Sequence, residues 1–343
     1  MVTDPRPIGV LLLQLGTPDS PSVKDVRRFL REFLSDPRVV DLPTPLRQLL
    51  LNAVILPFRP RRSAEAYELV WTEQGSPLTI HTEALTEGVA AELGAGYRVA
   101  YGMRYGQPSI ADVAQGLLDE GCARLVVLPL FPQYASAAGG SALAEALRVV
   151  AALGNVPDVA TIGSFHDDPG FIRAVAAVAA PLLSDFEPDH VLFSYHGLPE
   201  SQIRASDPTG SWCLATSGCC DTMTRANRSC YRAQAHATTR ALVAELGLVI
   251  PHGTSFQSRL AGRPWIEPFT DYELERLHGE GVRRLAILTP SFTADCLETI
   301  EEIGIRARRQ WEELGGDDLL LVPCVNADDR WVAAVADLVR RAG

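Results

Sequence analysis

HVLFSYHGLPES, residues 190–201, reads as a strand that stops at a chemically useful group. Residues 190–195 are rich in Val, Leu and aromatic side chains and lack the polar alternation of a half-exposed strand. Such a run belongs in a parallel sheet covered by helices on both faces. Gly197 and Pro199 then break the run and leave His196 at its carboxyl end. The stretch GVLLLQLGTPDS (9–20) repeats the plan. A second pair echoes in the same way: DEGCARLVVLPLFPQYASAAGGSALAEAL (119–147) and GEGVRRLAILTPSFTADCLETIEEIGI (279–305). Between the members of each pair sit VAYGMRYGQPSI (99–110) and GTSFQSRLAGRPWIEP (253–268), each a strand run that meets a basic residue.

Strand-like runs fall at 8–15, 97–104, 124–130, 158–164, 190–195, 248–257, 284–289 and 319–323. Helical patterns separate them at 108–120, 141–152, 170–183, 232–246, 271–281 and 295–312. The predicted fold class is α/β: two similar Rossmann-like lobes, each a parallel sheet flanked by helices, with an active-site cleft between them. The first lobe is expected over 1–164 and the second over 165–325, with a C-terminal helix in 326–343 packing back on the first. Ligands of open parallel sheets bind beyond the carboxyl ends of strands. That rule selects His196, the Arg104–Tyr105 pair, the FPQYASAAGG loop (131–140) with Tyr134 and Ser136, the nearby Ser141, and PSFTADCLE (290–298).

Composition narrows the function. The chain has 343 residues, 47% of them hydrophobic, ample for two cores. A net charge of −11 disfavours a general nucleic-acid binder. The apolar run near the N-terminus is too short for a signal core or a span, so a cytoplasmic protein is expected. GTP at 16–18 is no phosphate-binding loop, since neither glycine-rich nucleotide motif is present, and no nucleotide is expected. LPTPLRQLLLNAVILPFRPRR (42–62) mixes apolar side chains with arginines. It reads either as a surface helix, or as an apolar lip that covers a flat greasy ligand or touches a membrane surface.

Three groups of residues could carry chemistry. A neutral imidazole at His196 can accept a proton or ligate a metal, although a lone histidine is more often structural. Asp295, Glu298 and Glu302 stand at i, i+3 and i+7, which on an α-helix makes one acidic face near its N-terminus. That face is either a solvated surface or a ladder for a divalent cation or protons. Cys213, Cys219, Cys220 and Cys230 form C-x5-C-C-x9-C, four of the chain's seven cysteines. In a reducing compartment such a set is more often a metal site than a disulfide staple. Four thiolates suit structural zinc or a [2Fe–2S] cluster on chemistry alone, though the C-x2-C pairs common in zinc sites are absent.

With these residues in view, the chain resembles the ferrochelatases, which insert ferrous iron into a porphyrin. The resemblance runs in order through GVLLLQLGTPDS, SDPRVVDLP, VWTEQGSPL, GMRYGQPSI, LPLFPQY, FSYHGLPE, FQSRLAGRPWIEPFTD and FTADCLETIEEI, nearly the whole chain. It implies that His196 is the active-site histidine and Glu298 its acidic partner across the porphyrin. Glu302 would lie further along the same helix, and Asp295 matches the family's aspartate beside it. Cys296 stands where relatives carry histidine, which puts a role for that position in doubt. The resemblance places Arg104 and Tyr105 near the propionates, and Trp265 and Phe292 at the pocket. Leu15 falls where relatives carry Tyr or Met against the macrocycle; leucine offers no metal ligand. The lip falls at about 42–60. The four-cysteine insert, about 208–230, resembles that of bacterial members which bind [2Fe–2S]. The implied reaction is Fe2+ with protoporphyrin IX giving protohaem. Coproporphyrin III, or a non-catalytic haem or iron sensor on the same fold, are the alternatives.

Overall fold

The computed structural model describes residues 6–260 and 262–343; residues 1–5 and 261, the latter inside the 253–268 motif, lie outside the described residues. The chain divides into two compact units. One comprises Met1–Leu130, Ser136–Ser164 and Val332–Gly343, the other Phe131–Ala135 and Phe165–Trp331.

Each apolar run forms one strand: β1 Ile8–Gln14, β2 Tyr97–Met103, β3 Arg124–Pro129 and β4 Asp158–Thr161 in the first unit. In the second they are β5 His190–His196, β6 His252–Gln257, β7 Arg284–Leu288 and β8 Asp318–Leu321. All neighbours are parallel, in the orders β2-β1-β3-β4 and β6-β5-β7-β8. The same permutation twice over explains the internal echo of the sequence. In each unit the first strand lies inside the sheet and the next two flank it. The winding therefore reverses beside that strand, and its carboxyl end becomes the switch point where ligand sites form.

Burial follows from the unbroken apolar runs. Val10–Leu13, Leu125–Leu128 and Val191–Phe193 are wholly buried. Helices complete the layers by their periodicity. Ser109 caps the helix Ile110–Asp119 by accepting from Asp112 N–H, and that helix buries Ile110, Ala114 and Leu117. In the second unit Leu274 and Leu277 join Leu192, Leu285, Ile287 and Trp311 in one core. Each such large side chain contributes about 1.5–3 kcal/mol of transfer free energy. The last helix, Asp329–Ala342, belongs to the first unit from Val332 onward, where Arg124 donates to the carbonyls of Ala342 and Gly343.

Among the described residues one helix, Pro169–Phe186, is long and apolar enough by composition to cross a membrane. Its Phe171, Ile172, Ala174, Ala176, Ala179 and Leu183 are buried.

Candidate active site and cysteine insert

In the second unit the carboxyl ends of β5, β6 and β7 meet around His196. Its backbone N–H donates to Ser291 Oγ at 3.1 Å, from the loop after β7. Its ring Nδ1 lies 2.6 Å from the carbonyl oxygen of Gly197. A carbonyl can only accept, so Nδ1 carries the proton and the neutral ring keeps a lone pair on Nε2. Gly197 is required by close approach. Its N–H donates to Gln257 O at 2.7 Å, and a Cβ would stand 2.7 Å from that same oxygen. Phe292 meets the His196 ring edge-on, with centroids 6.4 Å apart, and Trp265 packs over Gly197.

The acidic residues are arranged differently from the expected ladder. The helix begins after its N-cap Cys296, so Asp295 precedes it, and Ile300–Ala307 is wound as a π-helix. A π-turn closes i to i+5, and the i, i+3, i+7 arithmetic of an α-helix does not hold there. Asp295 accepts from Thr299 Oγ1, Cys324 N–H and Asn326 Nδ2, three contacts that tie the helix start to the segment after β8. Glu302 is held by the end of β6. Ser258 N–H donates to its Oε1 at 2.8 Å, Ser258 Oγ to its Oε2 at 2.5 Å, and Gln257 Nε2 to Oε2 at 3.3 Å. Gln257 Nε2 also donates to the Glu298 carbonyl at 2.8 Å, while its Oε1 accepts from Ser194 Oγ on the histidine strand. Gln257 thus connects the His196 strand to the glutamate helix. Ser258 makes its double contact from a left-handed backbone, φ 66°. Glu298 is half-buried beside the Cys296 thiol, which burial, and then this carboxylate, push well above its ordinary range. Tyr134 is anchored here through its N–H, which donates to Gln234 Oε1.

Leu15, Arg104, Tyr105, Ser136 and Ser141 belong to the first unit. Arg104 Nη2 meets Asp36 Oδ2 at 2.7 Å, Arg104 Nε donates to Ser141 Oγ at 2.7 Å, and the Tyr105 hydroxyl donates to the same aspartate at 2.9 Å. Burial pushes the Asp36 carboxyl up, but donors from Ser141, the Arg38 N–H and Tyr105, with the charge of Arg104, outweigh it and hold it below the ordinary value. The pair read from sequence as a substrate anchor is therefore already partnered inside the protein, and Tyr105 is fully buried. Burial, above all, raises the Tyr105 phenol's pKa. Leu15 and Tyr105 are joined by a backbone hydrogen bond. Gly16 is needed there: its φ is +112° and a Cβ would overlap Tyr105 O. Ser136 Oγ accepts from Arg38 Nη1 at 3.1 Å.

The insert folds around its own polar side chains. Asp207 accepts from Thr209 N–H and Oγ1 and from the N–H groups of Trp212 and Cys213, at 2.7–2.9 Å. These donors, Cys213 N–H first, hold its carboxyl far below the usual range. Fully buried Asn227 accepts from Thr224 and donates to the carbonyls of Cys219 and Thr222. All four cysteines are buried free thiols. Cys219 and Cys220 sulfurs lie 3.7 Å apart, and Cys230 is in hydrogen-bonding contact with both Cys213 and Cys220. Arg232 Nη1 donates to Cys220 Sγ at 3.2 Å. Among the described residues no group of three or more His, Cys, Asp or Glu side chains is arranged to hold a single metal ion. Burial, then Arg232 and Arg240, depress the neighbouring His236 to about 4, so it is neutral at physiological pH.

Asp36, Gln257, Ser258 and Ser291 were not assigned roles from sequence. Gln257 and Ser258 had a usable signal, since they end a strand in an open parallel sheet. Asp36 had none beyond its place before a proline.

The ferrochelatase family model matches residues 7–343. The chain is 45% identical over 335 residues to a ferrochelatase of Coxiella burnetii (strain Dugway 5J108-111), covering 97% of this chain and 93% of that one. It is 45% identical over 332 residues to a ferrochelatase of Legionella pneumophila (strain Lens), covering 96% and 98%. Among solved structures, SirB from Bacillus subtilis with Fe3+ superposes with a TM-score of 0.57 at 13% identity, covering 98% of this chain and 95% of that one. The sirohydrochlorin chelatase SirB from Bacillus subtilis subspecies spizizenii in complex with cobalt gives 0.54 at 10% identity, with the same coverage. At these identities the likeness is one of fold.

Proposed function

Because this chain belongs to the ferrochelatase family and inserts iron into a porphyrin in haem biosynthesis, we propose that its porphyrin is protoporphyrin IX and that His196 is the base that takes the pyrrole protons. The observation that carries the role of His196 is the hydrogen bond from its Nδ1 to the Gly197 carbonyl, which leaves Nε2 as the acceptor. Insertion of Fe2+ releases two protons from the macrocycle without changing the oxidation state of iron. A positioned general base facing those protons contributes about 10²–10⁴-fold.

Glu298 and Glu302 supply negative charge along the iron or proton route, with Glu302 oriented by Gln257 and Ser258. Asp295 sets the start of their helix. Phe292 and Trp265 give the apolar wall beside the imidazole. The exposed Leu46, Leu49, Val54 and Phe58 support a lip at about 42–60 that touches a membrane surface from the cytoplasmic side.

Cys213, Cys219, Cys220 and Cys230 are proposed to hold a [2Fe–2S] cluster. The donor set fits in kind: four buried free thiols, two of them with sulfurs 3.7 Å apart, and a two-iron cluster asks for two thiolates per iron. Tetrahedral metal–sulfur bonds of about 2.3 Å spread two thiolates to about 3.8 Å, close to the Cys219–Cys220 separation. When bound, the cluster supplies a structural cross-link and a one-electron couple that iron insertion does not use.

The test is an anaerobic assay of purified protein with Fe2+ and either protoporphyrin IX or coproporphyrin III. Preferred turnover of protoporphyrin supports the proposal. Preference for coproporphyrin overturns the substrate, and tight haem binding without turnover points to the sensor. Absence of the protein from floated anionic liposomes overturns the membrane contact.

A further inference from the structure

The insert is electrically polarised. The helix Tyr231–Leu246 begins at its N-cap, Cys230, so the positive end of the helix dipole faces that thiol. Within its first turn, Arg232 Nη1 donates to Cys220 Sγ at 3.2 Å, and about two turns further Arg240 Nη1 donates to the Cys220 carbonyl at 3.2 Å. The Asp207 carboxylate accepts from Cys213 N–H at 2.9 Å. A guanidinium therefore lies against the Cys220 sulfur, while the carboxylate is held by backbone N–H groups.

We infer that Arg232 is a positioning residue for the cluster: its guanidinium holds the Cys220 sulfur as a ligand and raises the reduction potential. The inference rests on the cluster reading above. Its physical basis is fixed charge. A diferric cluster on four thiolates is a dianion, and one electron from an external donor makes it a trianion, with no bond formed or broken and no proton moved. A nearby cation and an N–H···S bond stabilise the more negative state more strongly. Arg240 meets a carbonyl rather than a sulfur and acts more weakly.

The experiment compares wild type, R232Q, R232K and R240Q, each reconstituted with iron and sulfide. Samples are titrated with dithionite and followed by visible absorption and electron paramagnetic resonance. The expected result is a midpoint potential shifted to more negative values in R232Q, less so in R232K, and least in R240Q. Cluster loss to a chelator is expected to be fastest in R232Q. Should R232Q fail to retain a cluster, a negative shift in R232K supports the assignment. A wild-type potential in R232K and in any loaded R232Q overturns it. Wild-type protein that takes up zinc, or shows no [2Fe–2S] spectrum after reconstitution, overturns the cluster reading itself, which separates the two failures.

Discussion

His196 donates through Nδ1 to the carbonyl oxygen of Gly197, the next residue in the chain, at 2.6 Å. The backbone just past the strand end thereby fixes the tautomer of the strand's terminal side chain, with no second side chain supplying the hydrogen bond. His196→Ala is expected to lower kcat by about 10²–10⁴-fold, the range for removing a positioned base. Porphyrin affinity, read by fluorescence quenching, is expected to change little. Turnover within a factor of a few of wild type would remove His196 from the reaction.

Gly197→Ala tests the same geometry without touching the imidazole. The added Cβ falls 2.7 Å from Gln257 O and 3.3 Å from Trp265 Cε3, both parts of packed structure. The strand end must shift, and a displacement of about 1 Å costs on the order of 10²-fold in rate. Steady-state kinetics should show the loss in kcat, while overpacking lowers thermal stability by about 1–3 kcal/mol. Unaltered kinetics would mean that the strand end tolerates the shift.

Ser258→Ala removes the hydroxyl from Glu302 but keeps the backbone N–H contact. The KM for Fe2+ is expected to rise with that for porphyrin unchanged. Paired with Glu302→Gln in a double-mutant cycle, the two changes should be non-additive, since they break one interaction. Additive effects would show that Ser258 does not act through Glu302.

Asp36→Ala leaves the Arg104 guanidinium and the Tyr105 hydroxyl without their shared acceptor. Breaking a buried pair from one side costs about 3–5 kcal/mol, measured by urea denaturation. The pH sign follows from the lowered carboxyl. The stability this group contributes is present above the unfolded aspartate value of 3.8 and is lost as pH falls through the still lower folded value. Wild type is expected to lose stability in that acidic window, and Asp36→Ala to lose the part of the slope that belongs to this residue. Identical acid profiles would remove Asp36 as a contributor.

Much of the second unit was legible in residues 190–201. An apolar run without alternation specifies a strand buried on both faces, and a Gly–x–Pro break specifies where it ends. His196 follows from those two facts and the rule for open parallel sheets. The acidic helix was less legible. Asp295, Glu298 and Glu302 satisfy α-helical spacing, but the π-wound turns from Ile300 and the start at Leu297 change which side chains share a face. The donors that hold this helix, Gln257 and Ser258, lie roughly forty residues earlier in the chain.

The first-unit pair shows the same limit from the opposite direction. Arg104 and Tyr105 look like a ready anchor for carboxylates, and nothing local to them reveals that the chain carries its own carboxylate to that place. Asp36 reaches them across a sequence separation of 68–69 residues. Local spacing, however regular, carries no information about such a partner.

By itself, the amino-acid sequence determined the parallel sheets, the repeated winding, the strand-end histidine and the presence of four thiols in an insert, because periodicity and chain breaks are local properties. Only the tertiary structure decided which nitrogen of His196 is free, which carboxylates are already partnered, and which thiol faces a guanidinium. Those outcomes depend on hydrogen bonds between segments far apart in the chain, and their directions exist only once the strands are in register.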